Sequence, residues 1–320
     1  MANKRKIIMD CDPGIDDAVA LCLAAAHPEA FELLGITTVA GNQTIEKVTE
    51  NALRLTDFYG LDVPVARGAK TPILRPPVTA SDIHGKNGIG DAEIPASERQ
   101  AVPETAVLFM KKLFDGLGEG EKITLIPTGP LTNIALLFNV FPEVKEKVEE
   151  IILMGGAASG GNVTPAAEFN IYEDPEAAAI VFDSGIPVVM CGLDATHLCG
   201  ISWENAAALR ENGGRIARAV GEMVSFYLKS PAYKNRKAAC IHDAVTFMYL
   251  LHPEIFKGVK MPVTVDCSDG IMRGNTLCDM RGFVPEEGLQ VTVLMDADGD
   301  KFQEYLLEAV RSLDGSLRGR

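Results

Sequence analysis

The chain has 320 residues, 47% of them hydrophobic and 23% charged, with a formal net charge of −14. That profile excludes a disordered chain and allows a sizeable core. A surface this acidic repels phosphate backbones, which sets nucleic acid aside and leaves a small neutral substrate or a cation as partner.

Read in chain order, the first half alternates strands and helices. Residues 6–10 form an apolar strand ending at Asp10, so the basic start before it leads into the core and is not a signal peptide. Residues 16–26 read as a helix ending before His27-Pro28, 31–40 as a strand, and 44–59 as a helix with apolar residues at helical spacing. A short strand at 63–66 precedes a long polar stretch, 67–103, rich in Pro and Gly. Strands follow at 123–127, 151–154 and 186–191, with helices from Leu131 and over 174–184. A second polar stretch covers 155–175; long loops of this kind are often lids or binding loops. Residues 203–228 read as helix with a break at Gly213-Gly214, 259–265, 274–280 and 290–295 as strands, and a last helix starts near Asp300. The alternation predicts a single α/β domain over 1–320, with a central, mostly parallel sheet flanked by helices. In such sheets ligands bind beyond the carboxyl ends of the strands.

No apolar stretch reaches the roughly 20 residues of a membrane span, so no membrane partner is expected. The seven cysteines, odd in number and without a CxxC pair, read as buried thiols of a reducing cytoplasm.

The richest segment is Asp10-Cys11-Asp12-Pro13-Gly14-Ile15-Asp16-Asp17, where four carboxylates crowd the turn from the first strand into the first helix. Pro13-Gly14 forces a tight turn that lets the acids converge. Like charges so close repel unless a hard cation neutralises them, and carboxylates are the ligands Ca²⁺ and Mg²⁺ prefer. Helix capping by Asp16 and dipole compensation by Asp17 explain one or two of these acids, not four. Polar groups recur at other strand ends: Asn42 and Thr44 after the second strand, Thr128 after the 123–127 strand, and His242-Asp243 opening an apolar helix.

Together these residues resemble a known family, the inosine-uridine nucleoside hydrolases. The likeness rests on 10–17 and continues through Gly41-Asn42-Gln43-Thr44, Ile83-His84-Gly85, Pro127-Thr128-Gly129, Met154-Gly155-Gly156, Gly161-Asn162, Ala167-Glu168-Phe169-Asn170, 174–178 and His242-Asp243. Among bacterial members it is similar to the pyrimidine-leaning ribonucleoside hydrolases. The resemblance implies a Ca²⁺-dependent enzyme that cleaves the N-glycosidic bond of a ribonucleoside. It implies that Asp12, Asp17 and Asp243 hold the ion with the Thr128 carbonyl, that Asp10 supports them, and that Asp16 deprotonates a water. It implies that Asn42, Asn162, Glu168 and Asn170 hydrogen-bond the ribose, that His84 and His242 lie near the base with His242 in a catalytic role, and that the chain forms a homo-oligomer, a tetramer or a dimer. The one tryptophan, Trp203, sits in a polar helix start and reads as a helix anchor, which disfavours purine stacking. Tyr227 and Tyr233 are candidates to close over the base.

Two rival readings carry different chemistry. Asp10-Cys11-Asp12 matches the DxD pattern of aspartate-nucleophile phosphatases, but no matching lysine and second acidic pair follow. A nucleoside- or ribose-binding protein without turnover is the other, and the intact Asp16 and His242 oppose it. Asp296-Ala297-Asp298-Gly299-Asp300 looks like part of an EF-hand, yet the glycine falls too early and no glutamate closes the loop; a turn capping the last helix is expected.

Overall fold

The computed structural model describes residues 4–317 except 91, 231, 232, 234, 235 and 286–288. In chain order the elements are β1 (Arg5–Cys11), α1 (Ile15–Ala26), β2 (Phe31–Thr38), α2 (Ile45–Phe58), β3 (Val65–Arg67), α3 (Ser81–His84), α4 (Ala106–Asp115), β4 (Ile123–Pro127), α5 (Thr132–Val140) and β5 (Val148–Met154). They continue with α6 (Phe169–Glu173), α7 (Pro175–Phe182), β6 (Val188–Cys191), α8 (Leu193–Thr196), β7 (Gly200–Ser202), α9 (Trp203–Asn212), α10 (Arg215–Lys229) and β8 (Ala238–Cys240). The chain ends with α11 (Ala244–Leu251), β9 (Phe256–Lys260), β10 (Val263–Val265), β11 (Thr276–Cys278), β12 (Val291–Ala297) and α12 (Gly299–Ser316).

Eight strands form one sheet in the order β3-β2-β1-β4-β5-β6-β12-β9, parallel throughout except for the edge pair β12 and β9. Strand β1 lies inside the sheet, and from Ile7 to Cys11 its side chains are fully buried on alternating faces: Ile7, Met9 and Cys11 join one core, Ile8 the other. The first core is closed by α1 and α10–α12, the second by α4, α5 and α7. Helix α1 is buried at ten of its twelve positions, which its nearly unbroken apolar sequence requires.

Chain direction across the sheet reverses beside β1. From β1 the strands proceed to β2 and β3 on one side and to β4, β5 and β6 on the other. The crevice between the ends of β1 and β4 is therefore the switch point at which such sheets bind ligands. Register sharpens this: Asp10 pairs with Thr37 on one flank and with Pro127 on the other, so Asp12, Val39 and Thr128 leave the sheet together at one edge.

The tail departs from expectation. The predicted 259–265 strand is two: β9 belongs to the main sheet, whereas β10 leaves it after Pro262 and pairs with β11 in a separate antiparallel ribbon. Proline has no N–H for the ladder, which suits the break. β7 and β8 form another small ribbon that sequence patterning did not reveal, because each has three residues. Asp298 caps α12 through the Lys301 N–H at 3.1 Å, the turn expected there. All seven cysteines are free and six are buried. Among the described residues no helix is long and apolar enough to cross a membrane.

Candidate active site

The carboxylates after β1 converge as the turn predicts. Ligand oxygens of Asp16, Asp17 and Asp243 all lie within 4.8 Å of one another, and all three residues are buried. Each is placed by a different local device. Asp17 is held by the tight turn itself: its Oδ2 accepts from Gly14 N–H at 2.9 Å and its Oδ1 from the Thr128 hydroxyl at 2.8 Å. Asp12 flanks the trio, its Oδ2 accepting from Asn42 N–H at 2.6 Å. Asp243 sits just before α11 and comes in from the far end of the chain. Asp10 stands behind, its Oδ1 accepting from Thr37 at 2.5 Å and from Asn133 Nδ2 at 2.8 Å.

The site fits a cation. Among the described residues, four buried carboxylate oxygens have no hydrogen-bond partner: Oδ2 of Asp10, Oδ1 of Asp12, Oδ1 of Asp16 and Oδ2 of Asp243. Burial, and then the neighbouring acids, push Asp12 and Asp243 well above the usual carboxylate range. The same causes raise Asp16 to about 8. Leaving such groups unpaired costs several kcal/mol each, on the order of a buried lone charge. A hard divalent ion with oxygen ligands reverses that cost, and the donor set here is entirely oxygen.

These acids form one pole of a cavity of about 400 Å³. Asn42, Thr128, Asn162, Glu168 and Asn170 line its sides. Glu168 caps α6: its Oε2 accepts from Gly156 N–H at 2.9 Å and from Asn170 N–H at 3.0 Å. Burial raises its carboxyl to about 7 against those backbone donors. Asn170 donates from Nδ2 to the Thr128 carbonyl at 2.8 Å and to the Met154 carbonyl at 3.1 Å, which leaves its Oδ1 free of protein hydrogen bonds among the described residues. Asn162 Oδ1 accepts from Phe169 N–H at 2.9 Å and so pins the predicted binding loop to α6.

The opposite pole is aromatic. His84 and His242 are both buried, and burial drives both imidazoles down to about 3. His84 Nδ1 accepts from Ile15 N–H at 3.1 Å, so the neutral ring carries its proton on Nε2, where the Tyr227 hydroxyl lies at 3.4 Å. His242 Nδ1 meets the Thr196 hydroxyl at 2.8 Å, and its Nε2 faces the Tyr233 hydroxyl at 3.4 Å. The two tyrosine rings lie against each other with centroids 5.1 Å apart. Between and beyond these tyrosines, residues 231, 232, 234 and 235 lie outside the described residues. The third aromatic of that stretch, Phe226, instead packs on the 84–90 loop, where Gly85 (φ 82°) and Gly90 (φ 65°) make room for its ring.

The sequence model described as inosine-uridine preferring nucleoside hydrolase matches residues 7–304. The chain belongs to that family. It is 42% identical over 308 residues to a protein named pyrimidine-specific ribonucleoside hydrolase RihA from Photobacterium profundum, covering 95% of this chain and 98% of the relative. It is 43% identical over 310 residues to the protein of that name from Salmonella typhimurium, with the same coverage. Among solved structures, a purine-preferring ribonucleoside hydrolase from Gardnerella vaginalis superposes with a TM-score of 0.88 at 33% identity, over 97% of this chain and 99% of that one. The protein is thus an enzyme, a hydrolase of the N-glycosidic bond of ribonucleosides, and neither the phosphatase nor the non-catalytic binding reading survives.

Of the residues expected at the site of this nucleoside hydrolase, Asp16, Asn42, His84, Thr128, Asn162, Glu168, Asn170, His242 and Asp243 line the cavity, and Asp10, Asp12 and Asp17 stand behind it. Four further residues contribute to which the sequence reading gave no role. Thr196 holds His242 from α8. Asp174 and Glu173 anchor the 73–80 rim by accepting from Ile73 N–H at 3.0 Å and Val78 N–H at 2.7 Å. Arg236 lines the cavity at the aromatic pole. The Asp174-Pro175 helix start was a readable capping signal; the others have no local signature.

Proposed function

We propose that this nucleoside hydrolase is Ca²⁺-dependent and prefers pyrimidine ribonucleosides, uridine first. The observation that carries the metal reading is the set of buried, unpartnered carboxylate oxygens at one pole of a cavity large enough for a nucleoside. Asp12, Asp17 and Asp243 would hold the ion with the Thr128 carbonyl. When bound, Ca²⁺ supplies positive charge that acidifies a water and grips vicinal hydroxyls.

The protein's own groups do the rest. Asp16 Oδ1, buried beside Asp17 and Asp243 and unpartnered among the described residues, is the acceptor for the proton of the attacking water. Asn42, Asn162, Glu168 and Asn170 orient the ribose. As the glycosidic bond stretches, positive charge grows on the sugar ring, and the surrounding carboxylates stabilise it electrostatically. The base lies toward His84 and His242, whose Nε2 atoms can position or protonate it, with Tyr227 and Tyr233 against its face. Support for pyrimidines comes from the names of the relatives at 42% and 43% identity. Trp203 also stands 46% exposed at the start of α9, outside the cavity lining, where it offers a purine no stacking surface.

The deciding experiment is a reducing-sugar assay on uridine, cytidine, inosine and adenosine, with and without a calcium-selective chelator. Uridine is expected to turn over fastest and chelation to abolish turnover. Full activity in a chelated, metal-stripped preparation would falsify the metal reading, and inosine outrunning uridine would end the pyrimidine one.

A further inference from the structure

A second cleft of about 360 Å³ adjoins the aromatic pole. His197 and Arg236 line both spaces and so stand at the boundary between them. The second cleft adds Lys237 and, among the described residues, no carboxylate. That is anomalous in a chain of formal net charge −14. Other arginines are paired with acids, as Arg273 is with Glu176 and Arg5 with Glu150. Among the described residues neither Arg236 nor Lys237 enters an ion pair. The Arg236 guanidinium is held instead by neutral groups: Nη1 donates to Cys240 Sγ at 3.3 Å, and its carbon lies 5.8 Å from the Tyr233 ring centroid. His197 stands edge-on to His242, ring centroids 5.8 Å apart. A guanidinium that is positioned yet unpaired, at the mouth of a cleft without acids, keeps its fork available for an anion from outside.

We propose that this cleft is a subsite for an anionic substituent, a carboxylate in particular, carried on the outer edge of the nucleoside's base. The inference rests on the orientation given above, ribose at the carboxylate pole and base at the aromatic pole. A group that passes His242 and Tyr233 then projects from the base and not from the sugar. A chain this acidic repels acidic nucleosides at long range, so accepting one requires local cations at the point where its charge comes to rest. Arg236 and Lys237 meet that requirement for base-modified pyrimidine ribosides with acidic side arms.

The test compares 5-carboxymethyluridine with its neutral isostere 5-carbamoylmethyluridine, with uridine and uridine 5′-monophosphate alongside. The acid is expected to show kcat/KM about tenfold above the amide, the factor one charge-assisted hydrogen bond is worth. That ratio falls as ionic strength rises. It collapses to about one in an Arg236→Gln, Lys237→Gln double variant, and drops about threefold in Lys237→Gln alone, which alters only the outer cleft. Uridine 5′-monophosphate, with its charge on the sugar, gains nothing over uridine. Equal handling of acid and amide by the unmodified enzyme overturns the subsite, as does a ratio unmoved by the substitutions or a preference for the monophosphate. An enzyme idle on uridine counts instead against the pyrimidine reading. In that event calorimetric binding of uracil-5-acetate against uracil-5-acetamide reads the subsite directly, and equal affinities overturn it.

Discussion

The two poles of the cavity are built in opposite ways. The carboxylate pole grows out of the sheet: Asp10 lies near the end of β1 and Asp12 just beyond it, Asn42 follows β2 and Thr128 follows β4, all brought to one edge by parallel register. Its geometry is as rigid as the sheet itself, and its electrostatics are costly until a cation arrives. The aromatic pole owes little to the sheet. His84 comes from a short helix within a long loop, Tyr227 from the last turn of α10, Tyr233 from the segment beyond it, and His242 is held from α8. Charge does the work at one end; shape and orientation do it at the other. The proposed orientation, sugar on the stiff pole and base on the assembled one, would let one scaffold keep its chemistry while its base preference varies.

Substitutions and substrates can break or sharpen that contrast. The largest effect is expected from Asp243→Asn. Turnover should fall about 10³-fold, some 4 kcal/mol of barrier, while the melting temperature in chelator rises because one buried, unpartnered negative charge is gone. Calorimetry with and without Ca²⁺ reads both, and the variant should lose the calcium-induced stabilisation. A variant that keeps that stabilisation removes Asp243 from the ion. Next comes the substrate itself: 2′-deoxyuridine should be poorer than uridine by about 10²-fold in kcat/KM, since half of the diol grip is missing. Parity between the two ends the metal–diol picture. At the other pole, Tyr227→Phe and Tyr233→Phe each remove a hydroxyl that faces a histidine Nε2, and about a tenfold loss in kcat is expected with little change in metal affinity. If neither alters the kinetics of any nucleoside, the hydroxyls have no role there.

The smallest effect is one of stability. Burial raises Glu173 to about 7 from 4.5. A carboxyl whose folded value lies above its unfolded one penalises the native state when ionised. The penalty is absent below about pH 4.5, grows between 4.5 and 7, and is full above 7. Glu173→Gln keeps an acceptor for Val78 N–H and removes the charge, so it should stabilise the protein by about 1–2 kcal/mol at pH 8 and hardly at all at pH 5. Thermal melts at the two pH values check the sign.

The same contrast explains what could be read in advance. The carboxylate pole was legible because its residues are close in sequence or stand at strand ends, where alternation of strand and helix fixes their position. The parallel sheet and the break at Gly213-Gly214 follow from patterning for the same reason. The aromatic pole was legible only as a list of candidates. Nothing local distinguishes Tyr227, which enters the cavity, from Phe226, which packs on the 84–90 loop; one residue of helical rotation, about 100°, separates their directions. Arg236 and Thr196 were invisible because their roles depend on ribbons and helices that meet only in the folded chain. The predicted strand over 259–265 failed where Pro262 diverts the chain, since hydrophobic pattern carries no information on which sheet a strand joins.

Helix α10 is secured at its N-terminus by α12: Asp314 accepts from Gly214 N–H and Ile216 N–H, both at 2.9 Å. Its other end delivers Tyr227. The aromatic wall of the cavity therefore hangs from α12. The acidic turn near residue 12 is thus enclosed by a wall whose anchor, α12, is remote from it in chain order. Damage to α12 therefore reaches the Tyr227 wall without touching the acidic turn itself.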